Sequence, residues 1–110
     1  MKMISVAQDF SRFPAGRLRK DAKHSGQEFR EERLIPALQT PGDVVVDMDG
    51  TRGYGSSFLE EAFGGLVRTG LFSRENLKRL DIRTSDPFLK VEIQQYMDDA
   101  WSRMPNEVTN

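Results

Sequence analysis

The chain contains no cysteine and only one histidine, His24, in 110 residues. The absence of cysteine excludes disulfides, thiolate metal sites and thiol nucleophiles. A single imidazole leaves no companion ligand for a histidine metal site, and only His24 could act as the base of a serine hydrolase. A metal site would have to be built from carboxylates, and we expect neither a metal nor a cofactor.

Long hydrophobic runs and a strong net charge are also missing. No stretch approaches the roughly 18 apolar residues of a membrane span, and the first ten residues lack the apolar core of a signal peptide. The formal net charge of −1 gives no general attraction to nucleic acid or to an anionic membrane. We therefore expect a cytoplasmic protein without nucleic-acid or membrane partners, built as a single domain over residues 1–110.

Strand and helix signals alternate along the chain. Alternation and β-branched runs predict strands at residues 2–6, 44–46 and 81–84, with a weaker strand signal at 17–19. Capping signals and helical periodicity predict helices after Ser25, from Ser56 or Ser57 to about Arg68, at 73–80, and from Asp86 onward. This order predicts an α/β domain with a mixed, partly parallel sheet of about four strands packed with helices.

Three residues or pairs inside the helical segments call for a local explanation. Pro36 removes a backbone donor and should kink the first helix or restart it. Gly64 and Gly65 are unfavourable inside a helix, which suggests close packing against the sheet. Gly70 is placed to end the second helix.

The most informative stretch is residues 43–67, where a buried strand runs through a turn into a helix. Its Val-Val-Val-Asp-Met-Asp-Gly-Thr segment resembles the first motif of haloacid-dehalogenase-like phosphohydrolases. That resemblance implies Asp47 as nucleophile, Asp49 as general acid and Mg²⁺ held by both. The family also needs a late acidic pair at the end of a strand, whereas Asp98 and Asp99 fall on a predicted helix. We consider turn-forming roles for Asp47 and Asp49 the better interpretation.

The same stretch, together with Phe29-Arg30 after the capping signal and the later strand and long helix, resembles STAS-like domains, relatives of anti-sigma factor antagonists. In that superfamily a strand ends in an Asp-Ser-Ser-Gly turn whose second serine opens a helix and is phosphorylated. The matching turn here is Gly55-Ser56-Ser57-Phe58, with glycine in place of the acidic residue and phenylalanine in place of the glycine.

The resemblance implies a non-enzymatic module that binds another protein, and it implies a partner such as an ATP-binding serine kinase or an anti-sigma factor. The candidate phospho-acceptors are Ser57 and Ser56. The predicted partner-binding residues surround them in the turn and the first part of the helix: Asp49, Arg52, Tyr54, Gly55, Phe58 and Glu61.

Two simpler interpretations stay open. Ser57 and Glu60 have the spacing of a capping box, which explains the serine without any modification. A third functional class is a constitutive inhibitory protein that acts without a switch through its basic segment. That segment carries Arg12, Arg17, Arg19, Lys20 and Lys23. We expect it to be a solvated loop.

Overall fold

Three parallel strands form the sheet of the computed structural model, which describes residues 1–105. In spatial order they are β1 (Lys2–Ser5), β2 (Val44–Asp47) and β3 (Leu80–Arg83). The register aligns Val45 of the central strand with Met3 and Asp81. The predicted α/β class is confirmed. The sheet has three strands rather than four, and every pairing is parallel.

The fourth strand, predicted at residues 17–19, does not form. The backbone carbonyl of Arg17 accepts a hydrogen bond from the amide of Gln27 at 3.0 Å. The Arg17 side chain reaches Glu60. Its backbone and side chain therefore attach the loop to two helices instead of to the sheet.

Three longer helices accompany the strands. Helix α1 covers residues 26–38, α2 covers residues 56–68, and α3 is Pro87–Arg103. In both α1 and α2 a π-helical turn, Arg30–Leu34 and Glu60–Gly64 respectively, lies between two α-helical turns. The wide turn of α1 immediately precedes the segment Ile35–Leu38 that contains Pro36. The helix therefore changes its winding before the proline and continues through it. Shorter helical turns are Val6–Phe10 and Asn76–Arg79.

The predicted helix ends are found at α1, α2 and α3. The Ser25 hydroxyl accepts a hydrogen bond from the amide of Glu28 at 3.1 Å, and Asp86 caps α3 through the amide of Phe88 at 2.9 Å. Gly70 follows α2 with a positive φ of 71°, a conformation that glycine adopts without steric cost.

All three helices pack on one face of the sheet. The inward side chains of the strands, Ile4, Val44, Val46 and Ile82, share a single apolar cluster with residues of every helix. Val45 lies on the opposite face, outside that cluster, although it is buried. Nowhere in residues 1–105 is a helix long and apolar enough to cross a membrane.

Candidate binding site

The turn after β2, residues 48–55, lies at the carboxyl edge of the sheet, between the segments that follow β1 and β3. The amide of Arg52 donates to the carbonyl of Arg12 at 2.9 Å on one side. Asp49 contacts Ser85 on the other. Ligands of open α/β sheets bind outside this carboxyl edge. Half of the residues predicted to form a site, Asp49, Arg52, Tyr54 and Gly55, lie in this turn, and Ser56 and Ser57 follow it directly.

The Asp49 carboxylate fastens this turn to the end of β3. It accepts hydrogen bonds from the Ser85 amide at 3.0 and 3.1 Å, from the Ser85 hydroxyl at 3.2 Å and from the Thr84 hydroxyl at 3.3 Å. The amide of Ser85 is the main cause that lowers the pKa of Asp49, and the two hydroxyls add to it. Asp49 is therefore an ionised tether of the turn.

Tyr54 closes the turn from inside. Its phenol donates to the carbonyl of Met48 at 2.6 Å, and burial raises the pKa of Tyr54 to about 12. The Tyr54 ring packs against Phe58 with ring centroids 5.8 Å apart. Phe58 has no exposed surface and belongs to the core, so its predicted role in partner binding was wrong. Tyr54 is half-buried and keeps one side toward solvent.

Helix α2 begins at Ser56, and its cap residue is Gly55, which provides no side-chain hydrogen bond to the first turn. The capping box predicted for Ser57 and Glu60 does not form, because Ser57 lies inside the helix and Glu60 pairs with Arg68 and Arg17. Ser56 and Ser57 are both exposed. The first turn of α2 therefore keeps amide groups without a side-chain cap beside two accessible hydroxyls.

Helix α3 borders this helix start with a row of side chains spaced four residues apart: Phe88, Glu92 and Tyr96. The Tyr96 phenol donates to the Glu92 carboxylate at 2.7 Å. That carboxylate is the main cause that raises the pKa of Tyr96 to about 12, while the nearby Ser56 hydroxyl acts in the opposite direction. Phe88 is 82% exposed, so an apolar ring stands at the end of this row. Sequence reasoning missed Phe88 and Glu92, since the contact between α3 and α2 is a long-range one.

The remaining predicted contact residues differ in accessibility. Arg52 is exposed and its guanidinium lies 5.7 Å from the centroid of the Phe13 ring. Gly55 is exposed at the helix start. Glu61 has a side chain only 13% exposed, and its carboxylate binds Arg30 at 2.7 Å.

Glu61 belongs instead to an ion network between the loop after β1 and the first two helices. Arg17 and Arg68 both contact Glu60 and Glu61, and Arg30 is almost fully buried against Glu61. Arg68 and, to a smaller extent, Arg17 lower the pKa of Glu60 to about 2. The basic segment is therefore partly engaged within the molecule. Arg19 likewise contacts Glu31 at 3.2 Å and Glu32 at 3.0 Å.

The glycine pair of α2 makes room for this network and not for the sheet. A Cβ on Gly65 would collide with the guanidinium of Arg30, and one on Gly64 would lie 2.5 Å from the carboxylate of Glu60. Arg30 also donates to the backbone carbonyl of Glu61 at 2.6 Å. The prediction of close sheet packing was wrong, because a charged side chain from α1 fills the space.

The phosphohydrolase motif has a structural role in this arrangement. The Asp47 carboxylate accepts from the amide of Asp49 at 3.0 Å and shapes the turn. Asp49 would be the general acid, yet its hydrogen bonds favour the ionised form. Asp98 lies on α3 and contacts Arg74 at 3.6 Å, away from the turn. Within residues 1–105 no group of three or more acidic or histidine side chains is placed to hold a metal ion.

The fold and this edge define a small parallel α/β domain with the uncapped, exposed start of a helix at the carboxyl edge of its sheet. The chain belongs to the family described as the STAS-like domain of unknown function (DUF4325), whose model matches residues 25–87, more than half of the chain. The matched region runs from the cap of α1 to the start of α3 and contains the whole turn. The suspected STAS-like membership is confirmed. No curated protein and no solved structure matches the chain.

Proposed function

We propose that the protein is a non-enzymatic regulatory module that binds another protein through the start of α2. The contact surface, here called the helix-start surface, combines the exposed part of the turn with the adjoining side of α3. Its members are Arg52, Tyr54, Gly55, Ser56, Ser57, Phe88, Glu92 and Tyr96. Membership of a STAS-like family supports such a role.

The observation that carries the proposal is the uncapped first turn of α2 with two exposed serines. A serine that caps its helix is explained by stability alone, but neither Ser56 nor Ser57 provides the cap. On α3, Phe88 adds an exposed apolar ring two helical turns before Tyr96, and exposed aromatic side chains often anchor protein interfaces. Hydroxyls, unpaired amides and an apolar ring together suit a docking surface.

Phosphorylation at this place would act as a switch without unfolding the domain. A phosphate adds about −1.5 to −2 charges, which the positive end of a helix dipole favours. The same negative charge, added close to Glu92, would repel acidic groups of a partner bound at this surface. Ser57 is the preferred acceptor by its alignment with the family turn, and Ser56 is the second. A serine kinase with an ATP site that also acts as an anti-sigma factor fits the role of partner.

The test is a capture experiment from native host lysate with four purified baits. These are wild type, Ser57→Ala, Ser57→Glu and the control Ser102→Glu, which adds the same charge on the exposed far end of α3. Bound proteins are identified by mass spectrometry, and recovered wild type is examined for phosphoserine.

We expect a regulator that Ser57→Ala and Ser102→Glu retain and Ser57→Glu releases, with phosphate on Ser57 of the wild type. If all four baits retain the same proteins and the wild type carries no phosphate, Ser57 does not act as a switch. It would direct attention to Arg12, Lys20 and Lys23, three exposed cations of the basic loop.

A further inference from the structure

Ser57 lies on α2 one turn before the two carboxylates of the ion network. Glu60 and Glu61 follow it by three and four residues, and side chains at these spacings are neighbours on a helix surface. Seen along the helix axis, Ser57 lies between the two glutamates, because successive residues are rotated by about 100°. A group attached to the Ser57 hydroxyl would therefore come close to the cations that bind Glu60 and Glu61.

One of these cations comes from the loop after β1. Nη1 of Arg17 contacts the Glu60 carboxylate at 2.5 Å and the Glu61 carboxylate at 3.2 Å, so it bridges the two acids. Both hydrogen bonds of the guanidinium within residues 1–105 start from this one nitrogen. The Arg17 side chain is 40% exposed. Its Nε and Nη2 therefore offer the two parallel donors with which an arginine binds two oxygens of a phosphate.

The backbone of Arg17 is fixed next to the start of α2. Its carbonyl accepts a hydrogen bond from the amide of Gln27 at 3.0 Å. Gly26, which precedes Gln27, touches α2, since a Cβ there would lie 2.5 Å from the carbonyl of Phe58. The Arg17 side chain can therefore turn toward Ser57 while its backbone stays in place.

Both carboxylates keep another arginine when Arg17 turns away. Glu60 retains Arg68, whose Nη2 donates to it at 3.0 Å, and Glu61 retains Arg30 at 2.7 Å. Arg68 also lowers the pKa of Glu60 more than Arg17 does. Arg17 is thus the cation of the network that can be transferred without leaving a partly buried carboxylate unpaired.

Ser56 has a different environment, although it is exposed as well. Its hydroxyl lies near Tyr96, whose phenol donates to the Glu92 carboxylate at 2.7 Å. Tyr96 carries no charge, so it does not neutralise Glu92 as the arginines neutralise the acids beside Ser57. A phosphate on Ser56 would therefore meet the repulsion of a carboxylate on α3.

We propose that Arg17 is the receptor for a phosphate carried by Ser57. Nε and Nη2 bind two phosphate oxygens, and the positive end of the α2 dipole favours the same charge. The inference rests on the proposed function, because it takes Ser57 as the acceptor, and it adds how the modified state is held. Arg17 is already part of the surface, so its movement leaves the added negative charge there. The phosphate and the guanidinium together cover the uncapped first turn of α2.

The test installs phosphoserine at position 57 during translation, so that no kinase is required. Thermal unfolding compares the phosphorylated and unphosphorylated proteins in the Arg17 and Arg17→Gln backgrounds. We expect phosphate to raise Tm by at least about 4 °C more when Arg17 is present, as a charge-assisted hydrogen bond does in a domain of this size. Lys20→Gln removes an exposed cation of the same loop and should leave the effect of phosphate unchanged.

A second measurement uses the chain with Arg17 in place. In ¹⁵N-labelled protein, the Nε–H signal of Arg17 should shift and exchange more slowly with water when Ser57 carries phosphate. Phosphoserine at position 102, on the exposed end of α3, should leave this signal unchanged. Phosphoserine at position 56 should depend on Arg17 less than phosphoserine at position 57 does.

Three results would overturn the proposal. The first is an equal change in Tm on phosphorylation with and without Arg17, and the second is an Nε–H signal of Arg17 that does not move. The third is a stronger dependence on Arg17 for phosphoserine at position 56, which would assign the phosphate to Ser56. None of these measurements involves a partner protein, so failure here is distinct from failure of the capture experiment.

Discussion

The guanidinium of Arg30 occupies the space that a side chain on residue 65 would need. Arg30 opens the π-helical turn of α1, and Gly65 follows the π-helical turn of α2. Two wide turns therefore meet at one buried charge, which binds both the carboxylate and the carbonyl of Glu61. This contact holds α1 against α2 behind the helix-start surface.

Substituting Gly65→Ala should destabilise the protein by about 1–2 kcal/mol. The new methyl displaces Arg30, and this overpacking exceeds the gain of up to about 1 kcal/mol from better helix propensity. In an Arg30→Ala background the same change should be neutral or stabilising. Urea unfolding of the four proteins of this double-mutant cycle measures both values. Gly55→Ala serves as control because a Cβ there meets nothing within 4 Å. An equal cost in both backgrounds would contradict the role assigned to Arg30.

Acid should weaken the fold through Glu60. Its pKa is lowered from 4.5 to about 2 in the folded protein, so the unfolded chain binds this proton first as pH falls. The contribution of Glu60 is complete above about pH 5 and is lost between about pH 4.5 and 2. We expect it to be about 1–2 kcal/mol, since solvent screens the half-exposed arginines. Unfolding followed from pH 6 to 2 should show a smaller decline for Glu60→Gln than for wild type. The exposed Glu75→Gln serves as control, and identical declines for wild type and Glu60→Gln would contradict the assignment.

Two serines at helix starts should differ in their effect on stability. Ser25 is buried and caps α1, so Ser25→Ala should cost about 1 kcal/mol or more. Ser57 lies within the first turn of α2 and caps nothing, so Ser57→Ala should change the free energy of unfolding by less than about 0.5 kcal/mol. Chemical denaturation of the two variants distinguishes these values. A comparable loss of unfolding free energy in both variants would indicate that Ser57 does cap α2.

These contrasts also indicate what could be predicted from the sequence. Local patterns located β2, the start of α2 at Ser56, the caps at Ser25 and Asp86 and the stop at Gly70. Glu60 pairs with Arg68 and with Arg17, and Gly65 faces Arg30. Arg17 and Arg30 are distant in the chain from these residues, so spacing alone assigned Glu60 and Gly65 wrongly. The strand predicted at residues 17–19 failed for the same reason, because its backbone and side chain serve the helices. In the site, Ser56 and Ser57 were located correctly on an exposed helix start. Phe58 was misplaced because burial depends on the whole fold.

A structural role for Asp47 and Asp49 predicts that the protein has no phosphohydrolase activity. Purified protein with Mg²⁺ should hydrolyse p-nitrophenyl phosphate no faster than buffer, and Asp47→Asn should not change that rate. The reason is that the Ser85 amide donates to the Asp49 carboxylate and lowers its pKa, which is the opposite of what a general acid needs. Turnover that is lost in Asp47→Asn would replace the binding role with a catalytic one.

The most direct test of the helix-start surface is the affinity of the captured regulator for purified Ser57→Ala and Ser57→Glu proteins, measured by calorimetry. We predict at least about tenfold weaker binding of Ser57→Glu, because one added charge at a docking surface changes affinity by about 1.4 kcal/mol or more. Ser102→Glu should bind as wild type does. Equal affinities for the two Ser57 variants, with binding abolished by charge reversal at Arg12 and Lys20, would contradict the helix-start surface and favour a constitutive inhibitor that acts through its basic loop.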